Sequence, residues 1–130
     1  MNKHQEMVRE FHQTFGSSMN DHPGEISEAE AALRIHLMDE ELREVVTAIA
    51  YEDLPAVAKE LADLLYVVYG AALAYGIDME PVFEAVHKSN MSKMPEDGEI
   101  KYREDRKIIK PPTYVEPDIK SILEAQSVRG

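Results

Sequence analysis

Four carboxylates in two short motifs carry the strongest chemical signal in this chain. Glu41-Leu42-Arg43-Glu44 and Glu60-Leu61-Ala62-Asp63 each set two acids three residues apart, which on a helix brings both to one side. With Glu40 at zero on a wheel of about 100° per residue, Glu44 lies near 40° and Glu41 near 100°. Leu33, Leu37 and Ala48 share that sector, while His36, Arg43 and Thr47 occupy a separate polar face. The second motif repeats the arrangement: Leu64, Val67, Ala71 and Ala74 surround Glu60 and Asp63, and no Lys or Arg falls in their sector. Acids inside an apolar stripe repel one another and tend to protonate unless a counter-charge joins them. A divalent cation is the simplest remedy. An all-oxygen ligand set suits Mg²⁺ or Mn²⁺, and Mg²⁺ keeps waters that phosphate oxygens can replace. The bland alternative is a solvated acidic face on a helical interaction module, and the pattern alone leaves both open.

The elements that must position these acids are all helical. Met7, Phe11 and Phe15 repeat every four residues and predict a helix over about 3–15. Gly16-Ser17-Ser18 and Asp21-His22-Pro23-Gly24 then form a loop. Ser27-Glu28-Ala29-Glu30 reads as a capping box opening a helix over about 28–51. Asp53 and Pro55 start the next, over about 54–75, which Gly76 ends. Asp78 and Pro81 open a fourth, over about 79–91, and the very short link before it favours antiparallel neighbours. The expected fold is all-α, a four-helix core. Residues 1–94 form the catalytic core, and 95–130 form an irregular tail or lid packed on the same domain. In that tail Pro111-Pro112 forbids helix and Pro117-Asp118 opens a short last helix through about Ala125.

Composition narrows the function classes. The 130 residues fit one domain, and 44% hydrophobic content can build a core. The absence of cysteine excludes disulfides, thiolate metal sites and cysteine nucleophiles. A formal net charge of −11 repels nucleic-acid backbones and anionic lipid. No stretch approaches the roughly 20 apolar residues of a membrane span, and the first residues lack the apolar centre of a signal peptide. The expectation is a soluble, cytoplasmic protein without nucleic-acid or membrane partners. Glu84-x-x-His87 is half of a di-iron carboxylate signature, but the chain has one such motif where two are needed. Tyr66, Tyr69 and Tyr75 read as core or interface residues, and Lys88 and Lys93 as solvated cations at a helix end.

The motif pair resembles the ExxE…ExxD signature of the all-α nucleotide pyrophosphohydrolases, a superfamily holding MazG-like proteins, dimeric dUTPases and phosphoribosyl-ATP pyrophosphohydrolases. The MazG-like branch is matched further by Phe11-His12-Gln13-Thr14-Phe15-Gly16, Asp39-Glu40-Glu41 and Gly76-Ile77-Asp78. Val86 to Lys93, Lys110 to Tyr114 and Pro117-Asp118-Ile119 match it as well. The resemblance implies a homodimer or homotetramer. It also implies Mg²⁺-dependent cleavage of a nucleoside triphosphate to the monophosphate and pyrophosphate, with a dNTP such as dUTP a reasonable substrate and phosphoribosyl-ATP the runner-up. By position, Glu41, Glu44, Glu60 and Asp63 would hold the metal, and Glu40 or Glu41 would orient or deprotonate the attacking water. Lys88, Asn90 and Lys93 would sit near sugar, base or phosphates. Lys107, Lys110 and Tyr114, with Lys101 and Arg103, would close over the phosphates. No GxxxxGK phosphate loop is present, so metal ions would carry that work.

Overall fold

A computed structural model describes residues 1–128 as five helices: α1 (Lys3–Phe15), α2 (Glu28–Ala50), α3 (Leu54–Ala74), α4 (Met79–Met91) and α5 (Ile119–Ser127). Each start is fixed by a side-chain cap. Asn2, Ser27, Asp53, Asp78 and Asp118 each accept a hydrogen bond from a backbone N–H of the first turn, satisfying donors that have no partner within the helix.

α2 and α3 form an antiparallel hairpin. The turn between them places Glu52 in the left-handed region, at φ 52°. α1 packs along α3, and their shared interior holds Val8, Val45, Ala48, Ala72, Leu73 and Ala74. Small residues on α3 let the helices approach closely. A side chain at Gly70 would meet Arg34 Nη1 and His12 Nε2, both at 3.2 Å. His12, Arg34 and Gln5 are themselves buried, and Arg34 is neutralised by Glu30 at 2.8 Å.

The fourth helix departs from expectation. α4 leaves α3 at 114° rather than folding back against it, and it packs chiefly on α5. The turn is set by distant parts of the chain. Gly76 adopts φ 75°, and a Cβ there would lie 2.2 Å from the His22 carbonyl oxygen. The buried Gln5 amide donates to Ile77 O at 2.7 Å and accepts from Met79 N at 2.9 Å. Gln126 makes the same two-way bond to Asp78, accepting from its N–H and donating to its carbonyl, each at 2.9 Å. Two amides thus hold the first turn of α4 at an angle that a short link alone does not dictate.

The tail is more ordered than its composition implies. Tyr102 and Ile108 pair as an antiparallel bridge, with Arg103 N–H donating to Lys107 O and Ile109 N–H to Lys101 O. Arg106 takes φ 68° at the turn. Further on, Thr113 Oγ1 contacts the carbonyls of Ser92 and Met94, and Ser89 Oγ donates to Val115 O at 2.7 Å. No single helix among the described residues is long and apolar enough to cross a membrane.

Candidate metal centre

Glu41 and Glu44 lie one turn apart on α2, Glu60 and Asp63 one turn apart on α3. The hairpin sets the two pairs face to face. One carboxylate oxygen from each of the four lies within 4.8 Å of the others. Glu41, Glu60 and Asp63 are partly buried and Glu44 is exposed, so the cluster opens at the helix–helix seam. Oε2 of Glu41 and Oε2 of Glu60 are buried without any hydrogen-bond partner. Carboxylate oxygens that lose water without gaining a hydrogen-bond partner are destabilising. Their convergence is what a divalent cation would relieve, and the all-oxygen set fits Mg²⁺ or Mn²⁺. The crowding shows in the protonation of Glu60. Its carboxyl is held above the ordinary value by its contact with Glu44 first and by burial second, with Lys59 pulling the other way.

Lys59 was not anticipated. Its Nζ lies 2.8 Å from Asp63 Oδ2 and 3.3 Å from Glu60 Oε1, which holds its own pKa above the ordinary lysine value. On a helical wheel its Cα sits outside the acidic sector, but a four-carbon stem curls back across one turn. The expectation of no basic group beside the second motif is corrected accordingly.

Glu40 is not in the cluster. Its side chain is half exposed and its Oε2 stands 3.4 Å from His36 Nε2. Val45, Ala48 and Arg34 define the inward face of α2, and that face is centred beyond Glu41, about 100° or more from Glu40. The remaining candidates lie on other elements, at the end of α4 and in the tail. Lys88 and Asn90 are exposed near the end of α4, with Lys93 just beyond it. Lys107 and Lys110 are exposed in the tail, and Lys110 Nζ lies 4.7 Å from the centre of the Tyr114 ring. Among the described residues, no hydrogen bond or ion pair joins any of these six to the four carboxylates. Tyr66 meets Phe11 edge to face at 5.6 Å, which makes it a packing residue between α1 and α3.

Comparison with known proteins follows the same residues. The family model described as phosphoribosyl-ATP pyrophosphohydrolase matches residues 8–90, a span containing all four carboxylates. An uncharacterized protein of Acanthamoeba polyphaga mimivirus is 29% identical over 104 residues, covering 73% of this chain but 37% of its own. The chain therefore spans little more than a third of that viral protein. A solved structure from Exiguobacterium sp. 255-15, provisionally designated an NTP pyrophosphohydrolase, is 26% identical and aligns over 98% of this chain and 95% of its own, with a TM-score of 0.51.

Proposed function

The chain belongs to the phosphoribosyl-ATP pyrophosphohydrolase family of the MazG-like, all-α NTP pyrophosphohydrolase superfamily, and from that premise we propose that it hydrolyses a nucleoside triphosphate in a Mg²⁺-dependent reaction. The products are the monophosphate and pyrophosphate, and a dNTP such as dUTP is the substrate we favour. One observation carries the reading: two buried, unpartnered carboxylate oxygens, on Glu41 and Glu60, aimed into a four-acid cluster.

Glu41, Glu44, Glu60 and Asp63 would hold the metal. Bound Mg²⁺ supplies charge neutralisation to phosphate oxygens and lowers the pKa of water. The attacking water forms a bond to the α-phosphorus as the bond to the bridging oxygen breaks and pyrophosphate leaves. Glu41 would accept that water's proton, with Glu40, which stands beside His36, as the other candidate base. Lys88, Asn90, Lys93, Lys107, Lys110 and Tyr114 are assigned to the substrate. Among the described residues no hydrogen bond or ion pair ties them to the acids, and on this reading the tail from residue 95 is a lid that would bring Lys107 and Lys110 to the phosphates. Such catalysis is largely positioning and electrostatics.

The family description favours one second reading, phosphoribosyl-ATP as substrate. A pyrophosphate-release assay with Mg²⁺ across dUTP, the other dNTPs, NTPs and phosphoribosyl-ATP separates the two. Release from dUTP or another dNTP, abolished in Glu60→Gln, supports the favoured reading; release only from phosphoribosyl-ATP replaces it. Silence across the panel removes the enzyme altogether.

A further inference from the structure

Resting on the metal-dependent reading above, we propose that the Lys59 ammonium fills the outer of two cation positions in the acidic cluster, so that the chain without nucleotide takes up one divalent ion rather than two. The two positions are told apart by which oxygens are already engaged, and Glu60 stands between them. Its Oε1 lies 3.3 Å from Lys59 Nζ, and Asp63 Oδ2 lies 2.8 Å from the same nitrogen. Its Oε2, like Oε2 of Glu41, is buried without a hydrogen-bond partner. One pair of oxygens is thus satisfied by the ammonium and the other is not. Each of the four acids offers an oxygen within 4.8 Å of the others, so the positions are neighbours sharing Glu60. An ion taken by the unpartnered pair leaves both contacts of Lys59 in place. A second ion has to take Asp63 away from it.

Ordinary helix chemistry does not put Lys59 there. It lies in the second turn of α3 (Leu54–Ala74), toward the positive end of the helix dipole, where a cation gains nothing. A base preceding an acid by four residues is the weaker orientation of such a pair, and exposed ion pairs contribute little on their own. Yet the side chain, 68% exposed, reaches back to Glu60, which is 15% exposed, as well as to Asp63. What remains to draw it in is the summed charge of the cluster. Among the described residues no other basic side chain lies within ion-pair distance of the four acids: Arg43, between Glu41 and Glu44 in sequence, pairs with Asp39 at 2.9 Å, and Arg34 pairs with Glu30.

The arrangement also sorts the ions by source. The inner oxygens are buried, whereas Lys59 and the exposed Glu44 mark the solvent side. Mg²⁺ is commonly held by one or two carboxylates and completed by substrate phosphates. The outer position therefore suits an ion that arrives with a nucleotide and displaces the ammonium, which can swing into solvent without moving α3. Lys59 is a positioning residue on this account, acting through the occupancy of the site.

Mn²⁺ titration of the full chain without nucleotide tests it, with bound ions counted from the loss of the free-Mn²⁺ electron paramagnetic resonance signal. Wild type and Lys59→Arg are expected to bind one ion per chain. Lys59→Met, which keeps the stem and loses the charge, is expected to bind two, the second on the order of 10-fold or more tighter than in wild type, because a neighbouring positive charge has gone. Lys120→Met, a charge removed at the distant Glu124 pair, should remain at one and so corrects for net charge. Two ions in wild type, one in Lys59→Met, or two in Lys120→Met would overturn the role of Lys59 while leaving the metal site standing. Uptake unchanged in Glu41→Gln, or no uptake by any form, would remove the metal reading itself and this proposal with it.

Discussion

At the position beside Asp63, Lys59 now performs part of what a bound cation would do. Its ammonium neutralises Asp63 and Glu60 from the solvent side, so metal entry must compete with it. Lys59→Ala is therefore expected to enlarge the rise in melting temperature produced by Mg²⁺ with a non-hydrolysable nucleotide, measured by differential scanning fluorimetry. An equal or smaller rise would show that Lys59 is only a surface cation. Glu41→Gln and Glu60→Gln remove charge without removing volume. Each should lower pyrophosphate release on the order of 100-fold or more, since even supporting groups around a metal are worth 10- to 100-fold. Retained activity in either variant would place the chemistry elsewhere. At Gly70, a methyl group would press on both His12 and Arg34. Gly70→Ala should cost about 1–3 kcal/mol, read by urea unfolding, as overpacking of a tight interior does.

The helices themselves were legible because their ends are written in local chemistry. The spans expected for α1 and α4 coincide with Lys3–Phe15 and Met79–Met91, and those of α2 and α3 differ by one residue. Ser27, Asp53 and Asp78 cap as their side chains dictate. The direction of α4 was not legible, because it is set by Gln5 and Gln126, whose role needs residues about 50 to 70 positions away. Nor did the charged tail announce the pairing of Tyr102 with Ile108, which rests on backbone bonds rather than on an alternating pattern. Gln5→Leu would leave Ile77 O and Met79 N–H unpaired inside the fold. The expected loss is about 2–4 kcal/mol of stability, from the desolvation of two backbone groups; a loss below about 0.5 kcal/mol, the ordinary level for surface changes, would deny Gln5 that role. Glu52, in the left-handed region, offers the opposite case. Glu52→Gly should raise stability by about 0.5–1 kcal/mol by relieving that backbone strain; an unchanged or lower urea midpoint would show that Glu52 carries no net strain.

Across the whole molecule, the acidic cluster was legible because both spaced motifs lie in the apolar stripes that face each other across the hairpin, at matching distances from its turn. What was not legible was which flanking charges would reach it, since Glu40 and Lys59 exchange their expected places through side-chain length and helix rotation. Stability should also respond to pH through His12. Burial first, and the charge of Arg34 second, hold its pKa below the ordinary 6.5. The unfolded chain therefore binds that proton more readily. Stability is fully present above pH 6.5 and falls as pH drops through the window below it. Thermal melts from neutral to mildly acid pH should show this slope, and His12→Gln should flatten it. The double amide clasp on the first turn of α4 bears on the order of assembly. The α2–α3 hairpin closes over a three-residue connection, whereas the Gln5 and Gln126 bonds join residues 72 to 74 and 48 apart. Long loops are closed late, so the hairpin is expected to form in the folding transition state and the clasp after it. Kinetics would then show Val45→Ala slowing refolding, while Gln126→Ala mainly speeds unfolding.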